Sequence, residues 1–286
     1  MNSDPSDLVQ AVEPPPDIAD ALAASRDRRC GFGAPLFYFP AIGSTNDVAS
    51  RLAAGGAPEG TTVAAEAQSS GRGRLGRTWF SPQGAGLYVS VVIRPDAGGP
   101  AGPGGRPSAA PGLPAVVTLA AGVALAEAIR DTTGLQAEIK WPNDLVFERR
   151  KLAGILAEAS AQGAELDYVV LGFGVNIRPV TYPPDLARRA TSIEAELGRP
   201  IDRGLLFARV LEHLSAGREA LRRGEIGGVL GRWRRMAPSA VGARVEWQAP
   251  GGAVRGRTAG LDNDGALLVE RGGRIERVVA GEVIWL

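Results

Sequence analysis

The sequence predicts an α+β domain carrying a small β-barrel at its C-terminal end. Two rhythms support this. Up to about residue 237, segments with strand-like alternation are interleaved with segments whose apolar residues recur at helical spacing; after Pro238 only short strands and glycine turns remain. There is no internal repeat. At 286 residues, 44% hydrophobic and 22% charged, the chain has an ordinary globular composition and ample length for a packed core.

Taken in order, residues 1–34 read as a loose leader. Pro14-Pro15-Pro16 precludes helix there, and Ile18 to Ala24 allows one or two turns. Ser44 or Thr45 is placed to cap a short helix with Val48 and Leu52 on one face, stopped by Gly55-Gly56. Thr61 to Ala67 reads as a strand, as does the alternating run Leu87, Val89, Val91, Ile93. Asp96 to Pro114 is low-complexity Gly/Pro/Ala and reads as a loop. Ala115 to Arg130 is helical and closed by Gly134; Leu152 to Ala159 and Tyr168 to Val175 are strands; Leu205 to Leu221 is helical through Leu206, Val210 and Leu214. Four short strands follow: Ala243 to Trp247, Val254 to Leu261, Ala266 to Glu270 and Arg274 to Val279. Turns at Asp264-Gly265 and Gly272-Gly273 divide the last three. The domains implied are 35–237 and 238–286.

The formal net charge is only +1, which gives no support to a general nucleic-acid or membrane-surface role. One cysteine (Cys30) and one histidine (His213) rule out an internal disulfide and argue against a Cys/His zinc site or a Ser-His-Asp triad. The acidic, proline-rich start lacks a secretory signal, and no apolar run approaches the roughly 20 residues of a membrane span. The expected compartment is cytoplasmic.

Of 32 basic residues only two are lysine, Lys140 and Lys151, and they bracket one stretch. A lysine is a compact point charge and an arginine a flat five-donor fork, so two lysines kept this close mark sites where a guanidinium does not fit. The second notable segment is Gly71-Arg72-Gly73-Arg74-Leu75-Gly76-Arg77. It matches G-x-G-x-x-G formally, but it runs into Thr78-Trp79-Phe80-Ser81-Pro82 instead of opening a helix, so the dinucleotide reading fails on context. A loop of glycines and arginines can still turn backbone N–H groups and guanidinium forks toward phosphate or carboxylate. Read alone, it could equally be a solvated loop or an RNA-binding Arg-Gly element. Trp79 and Phe80 directly after it favour the wall of a small-molecule pocket.

Four ordered segments carry a family resemblance: Gly-Arg-Gly-Arg-Leu-Gly-Arg-Thr-Trp-Phe-Ser-Pro from Gly71, Lys-Trp-Pro-Asn-Asp from Lys140, Arg-Lys-Leu-Ala-Gly-Ile-Leu from Arg150, and Gly-Phe-Gly-Val-Asn-Ile from Gly172. With Ser44-Thr45-Asn46 upstream and the Gly260 to Glu270 hairpin downstream, the chain resembles the biotin protein ligases from about Tyr38 to Leu286. The resemblance implies a mixed-sheet catalytic domain of the class II synthetase-like kind with an SH3-like C-terminal barrel. It also implies a two-step reaction. Biotin and Mg-ATP give biotinyl-5′-AMP and pyrophosphate; a lysine amine of a biotin carboxyl carrier protein then displaces AMP.

By that resemblance, Ser44, Thr45, Asn46, Gln68, Gly71, Arg72, Gly73, Arg74, Trp79, Lys151, Gly172 and Gly174 bind biotin, with Trp79 covering it. Lys151, Arg74 and Asp144 serve catalysis; Arg74, Arg77, Lys140, Asn143 and Asn176 face the nucleotide. Asp144 could orient the incoming lysine, hold Mg²⁺ or bond a nearby backbone. No certain metal ligand is implied beyond the Mg²⁺ that accompanies ATP. The glycine content predicts that the Gly71–Arg77 loop orders on ligand arrival. The chain departs from many members in having only about 35 residues, without two periodic helices, before the catalytic motifs, so a DNA-binding repressor role is not expected. Nor does the Ala190-Thr191-Ser192-Ile193 segment carry the tryptophan expected on the adenine side. A homodimer is possible. Lipoate–protein ligase and a non-catalytic biotin-binding module are the alternatives.

Overall fold

A computed structural model describes residues 11–95, 113–162, 165–249, 252–279 and 281–286. The Gly/Pro/Ala loop expected between Asp96 and Pro114 lies almost wholly outside these, as do the first ten residues.

Seven strands form the larger sheet: β1 (Leu36–Phe39), β2 (Thr62–Ala65), β3 (Gly86–Ile93), β4 (Glu138–Lys140), β5 (Asp144–Phe147), β6 (Arg150–Gln162) and β7 (Glu165–Asn176). Their order is β1-β2-β3-β7-β6-β5-β4, with β1 and β2 parallel and every other pair antiparallel. The sheet is therefore mixed, as expected. The Lys140-Trp-Pro-Asn-Asp motif is the turn between β4 and β5, two strands too short to be read from sequence alternation.

The two faces of this sheet differ in chemistry. Val89, Val91, Leu171, Phe173, Val175, Ala153 and Ile155 alternate onto one face and join the main core with the helices α3 (Leu113–Thr133) and α5 (Arg203–Arg222). Helix α2 (Thr45–Ala54) packs Val48 and Ala49 over the other face against Phe39, Val63, Val92 and Val170. Toward the site, three glycines leave part of that second face bare. Ser90 pairs with Gly172, which pairs with Leu156, and Tyr88 pairs with Gly174, which pairs with Gly154. Glycine in a strand interior leaves no side chain to pack, so the sheet itself becomes the floor of a trough.

Three expectations need correcting. The leader is not loose throughout: α1 (Pro16–Ala24), begun by a proline at its first position, buries Ile18 and Leu22 against α5. Gly204 permits the close approach, since a Cβ there would collide with the Asp17 carbonyl. Helix α3 starts at Leu113, with Pro114 in its first turn and not before it. By length and composition α3 is also apolar enough to cross a membrane, contrary to the sequence reading, yet it is the central core helix and largely buried. The sequence reading missed α4 (Ile193–Leu197) and α6 (Ile226–Met236). The four glycines of α6 or its flanks weaken the helical signal; Val229, Leu230 and Trp233 form its buried stripe.

The smaller sheet holds β8 (Val241–Ala249), β9 (Gly252–Leu261), β10 (Leu267–Arg271), β11 (Arg274–Val278) and β12 (Val283–Trp285) in the order β11-β10-β9-β8-β12, all antiparallel. Four of the five were expected. β12 spans three residues and earns its place only by pairing with β8. The glycine turn at Gly265 abuts Leu119 of α3, and Trp141 donates its indole N–H to the Gly265 carbonyl at 3.1 Å.

Candidate active site

The trough is lined by α2, the glycine-arginine loop, the turn between β4 and β5, and strands β6 and β7. Ser44, Thr45, Asn46, Gln68, Arg72, Gly73, Arg74, Trp79, Asn143, Lys151, Gly154, Gly172 and Gly174 surround a cavity of about 50 Å³.

One end is a polar network set for hydrogen bonding. The Thr45 backbone N–H and hydroxyl both donate to Gln68 Oε1, at 2.9 and 3.1 Å, and Gln68 Nε2 donates to Ser81 at 2.9 Å. Ser90, fully buried, donates toward Thr45 Oγ1 and Asn46 Oδ1, at 2.8 and 2.5 Å, and Asn46 Nδ2 donates to Glu158 at 2.7 Å. The Asn46 carboxamide lies on Gly172, where any Cβ would strike it. Ser44 sits at the N-cap position of α2 but its hydroxyl caps nothing; it is buried with no hydrogen-bond partner among the described residues. The capping role read from sequence is therefore replaced by a hydroxyl left available at the cavity wall.

Cations gather at the other end. Lys151 Nζ stands 2.6 Å from Asp144 Oδ1 and 5.3 Å over the Trp79 ring. The register explains the grouping: Gly174, Gly154, Asp144 and Lys140 occupy one cross-strand row. The main chain of Lys151 is held on both sides, its N–H by the Arg189 carbonyl (2.7 Å) and its carbonyl by the Thr191 N–H (2.9 Å). Arg74 donates to Asn143 Oδ1 at 3.1 Å, and burial lowers its pKa from the ordinary arginine value. Burial likewise lowers the pKa of Lys140, which lies 5.0 Å over the Trp285 ring of the small domain.

Between the two ends lies Trp79. Its indole rests on Gly174 and Gly154, its N–H buried without a partner among the described residues. The loop before it is stitched by its own backbone, Gly73 to Arg77 and Trp79 to Gly71. Arg72 reaches outward to Asp47 of α2 and Glu158 of β6, while Arg77 pairs with Glu282 of the small domain. The loop is thus tied to α2, β6 and the small domain by its own side chains.

Not every expected residue lines the cavity. Gly71 lies behind the loop, where it admits Trp79 and Ser81 closely; Arg77, Lys140, Asp144 and Asn176 stand outside the lining. The Asn143 amide is engaged at both ends, donating to the Ile155 carbonyl (2.7 Å) and accepting from Arg74. Asn176 Nδ2 donates to the Thr191 carbonyl (2.9 Å), tying β7 to the segment that holds Lys151. Residues missed in the sequence are Ser90, Gly154, Glu158 and Glu282. A glycine flanked by apolar strand residues was the available signal for Gly154; nothing local marks the other three.

The chain is similar to known proteins in sequence and in fold. Residues 38–176 match the biotin/lipoate A/B protein ligase family and residues 241–285 the biotin protein ligase C-terminal domain. A biotin–[acetyl-CoA-carboxylase] ligase of Mycobacterium tuberculosis is 34% identical over 277 residues, covering 91% of this chain and 94% of that one. The chain belongs to the biotin protein ligase family. The bifunctional ligase/repressor BirA of Bacillus subtilis is 31% identical over 261 residues, covering 88% of this chain and 74% of BirA. Among solved structures, the Aquifex aeolicus biotin protein ligase in complex with biotin and ATP superposes with a TM-score of 0.73 at 26% identity, covering 88% and 98% of the two chains. The two-domain architecture is thus that of biotin protein ligases.

Proposed function

We propose that this member of the family is an ATP-dependent biotin–protein ligase acting in the cytoplasm on a biotin carboxyl carrier protein of a carboxylase. The carrying observation is the polarity of a single trough, hydrogen-bonding groups at one end and a lysine and arginine at the other. Biotin has the same polarity: a ureido ring, an apolar bicycle and chain, and a carboxylate. Lipoate carries a dithiolane with no hydrogen-bonding edge and would leave Ser44, Thr45 and Gln68 facing apolar sulfur, a costly mismatch.

In this reading Ser44, Thr45, Asn46 and Gln68 take the ureido edge, Gly172 and Gly174 let the bicycle lie on the sheet, and Gly71 and Gly73 shape the loop that closes over it. Trp79 must leave the Gly154–Gly174 trough for biotin to enter, and then covers it. Arg72, paired outward, holds the loop to α2 and β6. Lys151 and Arg74 stabilise charge as a biotin carboxylate oxygen attacks the α-phosphorus and the bond to pyrophosphate breaks. The carrier lysine then attacks the acyl carbon; AMP departs with the electron pair of the broken C–O bond, and the amine gives up its proton. Asp144, beside Lys151, is the carboxylate placed to orient that amine. Lys140, Arg77, Asn143 and Asn176 flank the nucleotide side.

No group of three or more His, Cys, Asp and Glu among the described residues could hold a metal by itself. That donor set fits a Mg²⁺ carried by ATP phosphates, with at most a carboxylate such as Asp144 completing its shell. When bound, it would offset phosphate charge. We assign the catalytic unit to residues up to 237 and the SH3-like unit to 238–286, and expect no DNA-binding role; a homodimer is compatible with the free edges of the sheets.

The test is biotin-dependent pyrophosphate release from Mg-ATP without carrier, with lipoate and octanoate run in parallel. Release with biotin alone is expected. Release only with lipoate or octanoate would move the chain to that substrate, and tight biotin binding without release would leave a binding module.

A further inference from the structure

The outer face of the small sheet carries an arrangement that its own stability does not explain. Strand register places Arg244 of β8 directly opposite Arg257 of β9 on this face. Like charges opposite one another in a sheet are destabilising. The neighbouring acids do not neutralise the pair. Glu246 is engaged by Arg255 at 2.7 Å, and Glu270, opposite Arg257 on its far side, accepts instead from the Gly273 N–H at 2.8 Å. Among the described residues the Arg244 side chain makes no ion pair or hydrogen bond, and Arg257 reaches only the Gly242 carbonyl, at 3.1 Å.

Apolar side chains border the two arginines. Ile284 of β12 lies opposite Glu246, and just past β12 the Leu286 backbone N–H bonds to the Arg244 carbonyl, so both flank the charged row; they are 49% and 51% exposed. Beyond Glu270 on the other side, Ile275 is 56% exposed. β12 is also an edge strand with one side unpaired.

This face is continuous with the active site. Glu282, two residues before Ile284, pairs with Arg77 of the glycine-arginine loop, and the Gly281 carbonyl accepts from Arg74 at 3.4 Å. At about 3.3 Å per strand residue, Ile284 and Leu286 stand roughly 7 and 13 Å along the chain from that contact. A domain of about 100 residues has a radius of gyration near 13 Å. A carrier domain of that size resting beside the glycine-arginine loop spans the distance from the Arg77–Glu282 contact to the row.

We propose that Arg244, Arg257, Ile284 and Leu286 form the docking surface for the carrier domain, and that the carrier presents acidic side chains to the two arginines beside an apolar contact on β12. This rests on the ligase reading above. Nucleic acid fits less well: Glu246 and Glu270 interrupt the cations, and no aromatic side chain lies in the row to stack on a base.

The experiment uses the full chain, an apo carboxyl carrier domain and the variants Arg244→Glu and Ile284→Ser. Carrier-free pyrophosphate release with biotin, read first in the unmodified protein, establishes the ligase reading independently of docking. Arg244→Glu should raise KM for the carrier at least about tenfold, while carrier-free pyrophosphate release and biotinyl transfer to hydroxylamine stay unchanged. Because it converts a like-charge pair into an opposite-charge one, its Tm should hold or rise, which separates lost docking from lost folding. The KM of the unmodified protein should climb toward that of the variant as salt increases. Ile284→Ser should raise carrier KM in the same assay with little salt dependence of its effect. Unchanged carrier KM in Arg244→Glu would overturn the proposal. So would equal losses with carrier and hydroxylamine, or an effect of the substitution confined to duplex DNA binding or to self-association.

Discussion

Lys151 answers to several neighbours at once: a carboxylate at 2.6 Å, an indole face at 5.3 Å and backbone bonds on both sides of its own peptide. A guanidinium is planar and wider, and cannot sit in the same angle between Asp144 and Trp79 while following phosphate oxygens as they move. Lys151→Arg should therefore keep biotin affinity within a few-fold and lose at least about a hundredfold in pyrophosphate release; near-normal release would refute the geometric argument. Ser44 gives a prediction with opposite signs in two assays. Its buried hydroxyl has no hydrogen-bond partner among the described residues, so Ser44→Ala should leave Tm unchanged or slightly higher. If the hydroxyl serves biotin, the same change should weaken biotin binding by about 1–3 kcal/mol, measured by calorimetry. A drop in Tm with unchanged affinity would make Ser44 a structural residue.

At the scale of elements, the sheet has divided its alternate positions between two tasks. Val89, Val91, Ala153, Ile155, Leu171, Phe173 and Val175 build the core under α3 and α5, while Gly154, Gly172 and Gly174 on the opposite face let Asn46 and Trp79 lie on the backbone. The helix pair behind the sheet is joined by a charged cluster. His213 of α5 faces Glu127 at 3.4 Å and Asp131 at 3.1 Å on α3, and Arg232 of α6 also reaches Glu127, at 3.2 Å. The hydrogen bond to Glu127 leads the causes that raise the His213 pKa above its ordinary value, with burial opposing. A raised folded-state pKa means that the histidine's contribution to stability is complete below about pH 6.5 and fades as pH rises through the folded value. Thermal midpoints measured from pH 6 upward should fall less steeply in His213→Gln than in the unmodified protein. Identical slopes would show that the histidine does not couple the helices.

For the molecule as a whole, the small domain acts as an abutment to the catalytic loop. Glu282 meets Arg77, the Gly281 carbonyl meets Arg74, Trp285 lies under Lys140, and Gly265 receives Trp141. These contacts converge on the cationic end of the trough from a domain that supplies none of its lining. Glu282→Lys should raise KM for ATP and biotin several-fold, with Tm lowered by no more than a few degrees, because the ion pair is exposed and worth little to stability by itself. Unaltered kinetics would mean that the loop keeps its position without the small domain.

The motifs were legible in the sequence because they are local: lysines spared in an arginine-rich chain, glycines beside arginines, and strand alternation in Leu87 to Ile93. With them came the α+β class, most long elements and the residues that converge on the trough. Short elements were not legible, since three residues such as Val283–Trp285 become a strand only through a partner. Nor was the conversion of Ser44 from cap to free hydroxyl, or the recruitment of Ser90 and Glu158, which lie 46 and 114 positions away in this numbering. The chain by itself determined which chemical groups this protein owns. Tertiary structure decided which of them are spent on one another and which are left for a ligand, because hydrogen bonds and charges are satisfied by neighbours in space.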